Sequence, residues 1–206
     1  MNNINYQKQL EKVISNINEG EKPSLLLHAC CAPCSSYVLE YLDKYFDITI
    51  FFYNPNITSQ EEFDKRKNEF EKFRALYNGY KIVVPKYDNM EFYDKVRGLE
   101  KEPEGGERCF VCYRLRMEKS AEYAKNNNFD YFASTLSISP HKNANKLNEI
   151  GFLLEKQYNV NYLPNDFKKN GGYLRSIQLS KELDLYRQDY CGCIYSKNSK
   201  INWLNK

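Results

Sequence analysis

The sequence predicts an α/β fold, a parallel sheet flanked by helices. Three observations carry that expectation. Short strand-like runs alternate with helical segments along most of the chain, the rhythm of a parallel sheet with helices on both faces. The 206 residues suit one domain with a real core that needs no disulfides to fold. The first strand runs into His28-Ala29-Cys30-Cys31-Ala32-Pro33-Cys34, which puts three thiols where such sheets open their ligand crevice. No internal repeat, low-complexity run or clear linker interrupts the chain. Residues 1–206 are therefore expected to form a single domain, with a C-terminal segment at about 165–206 that carries Cys191-Gly192-Cys193.

The elements follow in order. Ile4, Leu10, Val13, Ile14 and Ile17 recur near helical spacing over residues 4–19, and Gly20 ends that helix. Pro23 leads into a strand over Ser24–Ala29. After Pro33, Ser35 and Ser36 open a helix that runs to Tyr45. Asp47–Tyr53 is a strand closed by the turn Asn54-Pro55-Asn56. Thr58-Ser59 followed by Glu61 and Glu62 starts a long helix. Phe63, Phe70, Phe73 and Leu76 share one face of it as far as Tyr77, and Gly79 stops it. Lys81–Pro85 reads as a strand, Glu91–Leu99 as a short helix, and Lys101–Glu107 as a loop. A helix runs from Arg108 to about Asn126, then a strand over Asp130–Leu136, a loop over Ser137–Asn143 and a helix over Asn145–Tyr158. Val160–Leu163 reads as a short strand, polar Asn165–Tyr173 as a mobile loop, and Ile177–Tyr186 as a helix. The tail ends Ile201-Asn202-Trp203-Leu204.

Composition excludes more than it selects. The net charge of +3 permits a nucleic-acid partner without requiring one. No apolar run is long enough to span a bilayer, and the first residues lack the basic-then-apolar layout of a signal peptide. A cytoplasmic protein with no membrane partner is the expectation. In that compartment closely spaced cysteines point to metal or redox chemistry. Eighteen tyrosines offer rings with a polar handle for a wet site, although an ordinary core and surface accounts for most of them.

The seven cysteines fall in three groups, Cys30/Cys31/Cys34, Cys109/Cys112 and Cys191/Cys193. Cys109 and Cys112 sit three apart at a helix start, which puts both sulfurs on one face, where the helix N-terminus favours thiolate. Four thiolates from two loops can hold a tetrahedral zinc or an iron–sulfur cluster, and a purely thiol-based enzyme is the remaining alternative. Cys191-Gly192-Cys193 is too tight for an easy chelate. It can close a small, reducible disulfide ring that would relay two electrons. Two further metal ligands, or a chance pair, are the competing readings. Cys34 is either a ligand to a second metal or a buried helix-start thiol.

Three motifs together carry a resemblance: His-x-Cys-Cys-Ala-Pro-Cys after an apolar strand, Arg-Cys-x-x-Cys-Tyr-x-x-Arg over Arg108–Arg116, and Tyr-Arg-Gln-x-Tyr-Cys-Gly-Cys over Tyr186–Cys193. In this order they resemble the epoxyqueuosine reductases of the QueH family over nearly the whole chain. The resemblance implies a fold similar to nucleotide-hydrolase-like (HUP) α/β proteins. It implies reduction of epoxyqueuosine in the wobble position of tRNA to queuosine, without cobalamin and with a 4Fe–4S cluster. Carried over by motif, Cys30, Cys31, Cys109 and Cys112 would hold the cluster, and Cys191 and Cys193 would form the redox-active disulfide. Some members are thought to place a mononuclear iron beside the cluster. Cys34 stands here where an aspartate can occur, which would soften that second site.

The chemistry requires two electrons and two protons. His28, Tyr113, Tyr190 and Asp189 are candidate proton donors, though His28 has an equally good structural use at the strand end. Arg114 and Arg116, with Lys168, Lys169 and Arg175, are candidate phosphate contacts, and tyrosines such as Tyr113 and Tyr190 could stack a splayed base. Ser139-Pro140-His141-Lys142 follows the fourth strand at the crevice and either faces substrate or holds its loop. The expected partners are a tRNA and an unidentified electron donor, with the chain a monomer. A zinc-binding RNA module and a HUP-type tRNA thiolation enzyme are the alternatives. Against the second, no glycine-rich phosphate loop follows the first strand.

Overall fold

The computed structural model describes residues 4–76 and 79–204, with the side chains of 74–76 and 201–204 outside the description. The predicted helix end at Tyr77 and the tail's Trp203 side chain fall outside it. Helix α1 (Tyr6–Ser15) leads to β1 (Ser24–His28) and α2 (Ala32–Leu42), then β2 (Asp47–Phe51), α3 (Gln60–Asn68) and α4 (Phe70–Leu76). There follow β3 (Lys81–Val83), α5 (Met90–Lys95), α6 (Glu107–Asn126) and β4 (Tyr131–Ser134), with a 3-10 turn at Thr135–Ile138. The chain continues through α7 (Ala144–Tyr158), β5 (Asn161–Tyr162), α8 (Gly172–Glu182) and α9 (Ile194–Leu204).

The strands form one parallel sheet in the order β3-β2-β1-β4-β5, as the α/β expectation requires. β1 is central and pairs with β2 (Ser24 beside Asp47) and with β4 (Leu25 beside Tyr131). The chain builds outward from β1 to β3, then crosses back to β4. That reversal leaves the crevice between the carboxyl ends of β1 and β4. Strand alternation sorts the core. Leu25, Leu27, Ile48, Ile50 and Phe52 pack with Leu10, Leu39, Phe63 and Phe70 on one face. Leu26, Phe51 and Phe132 pack with Met117, Ala121, Leu147 and Leu154 on the other.

Three departures have local causes. The predicted long helix breaks at Glu69, whose carboxylate accepts the Tyr186 N–H at 2.7 Å and pairs with Lys72, so the bend lies where the C-terminal segment docks. The segment read as a mobile loop is pinned at its start. Asn165 is buried, exchanges hydrogen bonds with Asn148 at 2.8 and 3.0 Å, and Phe167 N–H reaches Ser137 Oγ at 3.1 Å. Helix α8 also starts earlier than expected, at Gly172. A Cβ there would come within 2.4 Å of the Tyr37 ring and 2.1 Å of the Phe167 carbonyl, so close packing on α2 demands glycine. Among the described residues, no helix is long and apolar enough to cross a membrane.

Candidate metal and redox centre

The crevice is built first by the end of β1. Cys31 is the extended residue before α2 (φ −172°, ψ 162°), and Pro33 sits in the first helical turn, where its missing N–H costs nothing. The chain therefore turns sharply enough to bring Cys30, Cys31 and Cys34 together. Their sulfurs lie within 4.8 Å of one another, and Cys30 and Cys31 are 3.8 Å apart. Two thiolates on one tetrahedral metal stand about 3.8 Å apart, so these three could hold a metal. Thr135 ties Cys30 to the end of β4, its Oγ1 accepting the Cys30 N–H at 3.4 Å and donating to Cys30 Sγ at 3.7 Å. Hydrogen bonds from Cys31 and Cys34 hold the Cys30 thiol well below its ordinary range, and burial, with the Cys30 neighbour, pushes Cys31 up to about 12.

His28 supports this turn from below. It is fully buried between Ser134 Oγ (Nδ1, 2.8 Å) and the Tyr53 carbonyl (Nε2, 3.0 Å). A carbonyl only accepts, so Nε2 carries the proton and Nδ1 accepts from Ser134. Burial, then the Arg116 charge, lower its pKa to about 3, so the ring is neutral. Both nitrogens are spent inside the protein.

Helix α6 supplies Cys109 and Cys112 from its first turns. Cys109 Sγ accepts the Gly105 N–H at 3.2 Å, and it packs against the same apolar cluster as Cys30. Cys112 is buried, and burial raises its pKa. Neither joins the 4.8 Å group. Their link to it is Arg116, one turn after Cys112, which is 1% exposed. Its Nε reaches the Cys112 carbonyl at 3.4 Å and its Nη1 reaches Asn54 Oδ1 at 3.2 Å, while Nη2 has no partner among the described residues. Burial opposes its charge, but Cys112, Cys191 and Cys30 more than offset that. Asn54 is held in turn by the Ala29 carbonyl at 2.9 Å. A buried, half-partnered guanidinium among soft thiols fits an anionic metal–sulfur group.

The third wall is Cys191-Gly192-Cys193. Arg66 Nη1 donates to the Cys191 carbonyl at 3.3 Å and Thr58 N–H to the Gly192 carbonyl at 3.1 Å, so α3 and the loop before it clamp the segment. Arg66 is itself buried against Glu62 at 2.6 Å. All seven cysteines are free. Lys142 Nζ lies 3.1 Å from Cys191 Sγ. Burial pushes the Cys191 thiol up, but Lys142 and Arg116 outweigh it and the pKa falls below the usual range. Burial takes Cys193 up to about 12.

A cavity of about 800 Å³ opens between these walls, lined among others by Cys30, Cys34, Arg116, Lys142, Tyr190 and Cys191. That is the size of a small-molecule pocket. Tyr113 is buried beneath Lys142, whose Nζ sits 5.7 Å from its ring, and burial pushes the phenol up to about 12. Tyr190 is half-buried, 5.1 Å from the Arg66 guanidinium. Arg114 is exposed and reaches Gln157 at 3.4 Å. Asp189 pairs with Lys200, Lys168 with Asp166, and Arg175 with Glu40 and Glu182. The sequence reading passed over Asn54, Arg66 and the specific place of Lys142. Only Lys142 carried a signal, through its position after the fourth strand.

The family model for epoxyqueuosine reductase QueH matches residues 25–199. The chain belongs to the epoxyqueuosine reductase QueH family. It is 46% identical to the epoxyqueuosine reductase QueH of Streptococcus pyogenes serotype M1 over 201 residues, covering 94% of this chain and 78% of that one. The QueH of Staphylococcus epidermidis is 45% identical, with 94% and 84% covered, and that of Thermotoga maritima 35%, with 84% and 90% covered. Among solved structures, the U34-tRNA thiolase NcsA from Methanococcus maripaludis with its [4Fe-4S] cluster superimposes with a TM-score of 0.54 at 17% identity, covering 96% of this chain and 71% of that one. A predicted subunit of tRNA methyltransferase from Methanocaldococcus jannaschii gives 0.50 at 14% identity, with 77% and 76% covered. At such identities the likeness is one of fold, and it agrees with the α/β layout expected of this QueH family member.

Proposed function

We propose that this chain reduces the epoxide of epoxyqueuosine in the wobble position of a tRNA to the alkene of queuosine, as its family name implies, without cobalamin. The observation that carries the reading is one cavity lined by thiols of two segments far apart in sequence, Cys30 and Cys34 with Cys191, and by Arg116, a half-partnered cation on the helix that carries Cys109 and Cys112. Cys30, Cys31, Cys109 and Cys112 would hold a 4Fe–4S cluster, and Cys34 would be a ligand of a second, mononuclear metal. Once bound, these groups supply single electrons and a Lewis-acid position for the epoxide oxygen.

The remaining work belongs to the chain. Loss of the oxygen as water takes up two electrons and two protons. Oxidation of the Cys191/Cys193 dithiol to a disulfide releases both. Arg116 offsets thiolate charge from beneath the cavity. Tyr190, in the cavity lining, is a candidate surface for the splayed base. Arg114, exposed on α6, is a candidate phosphate contact. An external donor must reduce the disulfide after each turnover. We take residues 1–206 as one domain with a C-terminal segment from about 165 that carries the dithiol, acting as a cytoplasmic monomer.

The test is nucleoside mass spectrometry of epoxyqueuosine-containing tRNA incubated anaerobically with the chain and a strong reductant. Queuosine should form in repeated turnovers. Cys109→Ala should lose metal and activity together. RNA binding by a colourless, zinc-loaded protein that never converts the nucleoside would instead identify a zinc-binding RNA module, and a requirement for ATP would point to thiolation.

A further inference from the structure

We propose that Lys142 is the proton-carrying partner of Cys191: its ammonium holds that sulfur as thiolate in the dithiol state and gives up its proton when the sulfur is oxidised. The inference rests on the reductase reading and assigns a role to the Ser139-Pro140-His141-Lys142 loop. The Nζ–Sγ separation is 3.1 Å, and both side chains line the cavity. Among the described residues Lys142 forms no pair with a carboxylate, so Cys191 is its counter-charge. Cys191 is faced by a second cation, Arg116, and by Cys112, Cys193 and Tyr113. A nearby acid is Glu104, which takes a hydrogen bond from Ser196 Oγ at 3.3 Å while that oxygen accepts the Cys191 N–H at 3.1 Å.

The balance is closed. Before reaction Cys191 is a thiolate, Cys193 a thiol and Lys142 an ammonium. The Cys191–Cys193 S–S bond forms, the Cys193 S–H and Lys142 N–H bonds break, and two electrons and two protons pass to the epoxide, whose two C–O bonds break as C=C and water form. Burial disfavours the ammonium and the Cys191 charge sustains it. Oxidation abolishes that charge, leaving burial and Arg116 to expel the proton. The alternatives are poorer donors. The Nε2 proton of His28 is committed to Tyr53, and Asp189 is paired with Lys200.

The test follows alkylation of Cys191 by iodoacetamide against pH, on the anaerobically purified, reduced full chain, read by peptide mass spectrometry. Lys142→Met should raise the midpoint by a unit or more and slow alkylation near neutral pH about tenfold. Lys142→Arg keeps the charge and should keep the midpoint. Because guanidinium does not release a proton, its kcat on epoxyqueuosine tRNA should drop more than tenfold at unchanged KM. Lys142→Gln replaces the Met variant should that one fail to fold, with thermal unfolding as the control. A midpoint unmoved in both neutral variants, or full kcat in Lys142→Arg, would overturn the proposal. The alkylation needs no tRNA. A shifted midpoint in a chain that never reduces epoxyqueuosine would therefore sink the reductase reading and leave the ion pair standing.

Discussion

His28 shows how the cysteine turn is fixed, and it gives a pH dependence whose sign and size follow from its surroundings. Its folded pKa is about 3, against about 6.5 in an unfolded chain. Between those values the unfolded state binds the proton and the folded state does not. Stability from this residue is therefore complete above about pH 7 and lost as pH falls through 6.5, levelling off below 3. At about pH 5 the loss is about 1.5 pK units at 1.36 kcal/mol each, or about 2 kcal/mol. His28→Asn removes the titration. It keeps an acceptor for Ser134 but strands the Tyr53 carbonyl, at about 1–3 kcal/mol near neutrality. Urea unfolding of both proteins at about pH 7.5 and pH 5 reads the comparison. The gap between them should narrow by about 2 kcal/mol on acidification. Parallel pH dependences would instead show a ring that is protonated or wet in the folded state.

Three further outcomes follow from the same geometry. Cys191→Ser should retain iron at the wild-type level yet show no turnover, measured by metal analysis beside nucleoside mass spectrometry. Gly192→Ala should weaken both stability and activity, by about 1–2 kcal/mol in the former. Gly192 has φ 121°, and a Cβ would come 3.1 Å from Arg66 Nη1 and 3.2 Å from Asn56 Nδ2, so a thermal scan and initial rates should both report it. Arg116→Met removes a buried charge with one orphaned amine. The metal-free chain should lose no more than about 2 kcal/mol, because the stranded amine offsets the two long hydrogen bonds. The iron retained after anaerobic desalting should fall severalfold.

The sheet was legible because Leu25-Leu26-Leu27 and Ile48–Phe51 are apolar runs set between helical segments, and parallel order follows from that alternation. The break between α3 and α4 was not legible, since Glu69 gains its reason only from Tyr186, far along the chain. The cysteine turn announced itself through Pro33 and the adjacent pair Cys30-Cys31. The place of Arg116 lay half in view. At four residues after Cys112 it shares that helix face and turns inward, whereas Arg114 points to solvent, so two arginines that read alike as phosphate contacts differ in the fold. The partnership of Lys142 with Cys191 was invisible, because no periodicity encodes that the segment before α9 returns to the loop after β4.

On this reading one chain's own dithiol supplies the electron pair. A single turnover tests it directly: the chain is reduced anaerobically, freed of reductant and mixed with epoxyqueuosine tRNA. About one queuosine per chain should form, with Cys191 and Cys193 recovered as a disulfide that resists alkylation. Queuosine formed while both thiols remain free and alkylatable would contradict it.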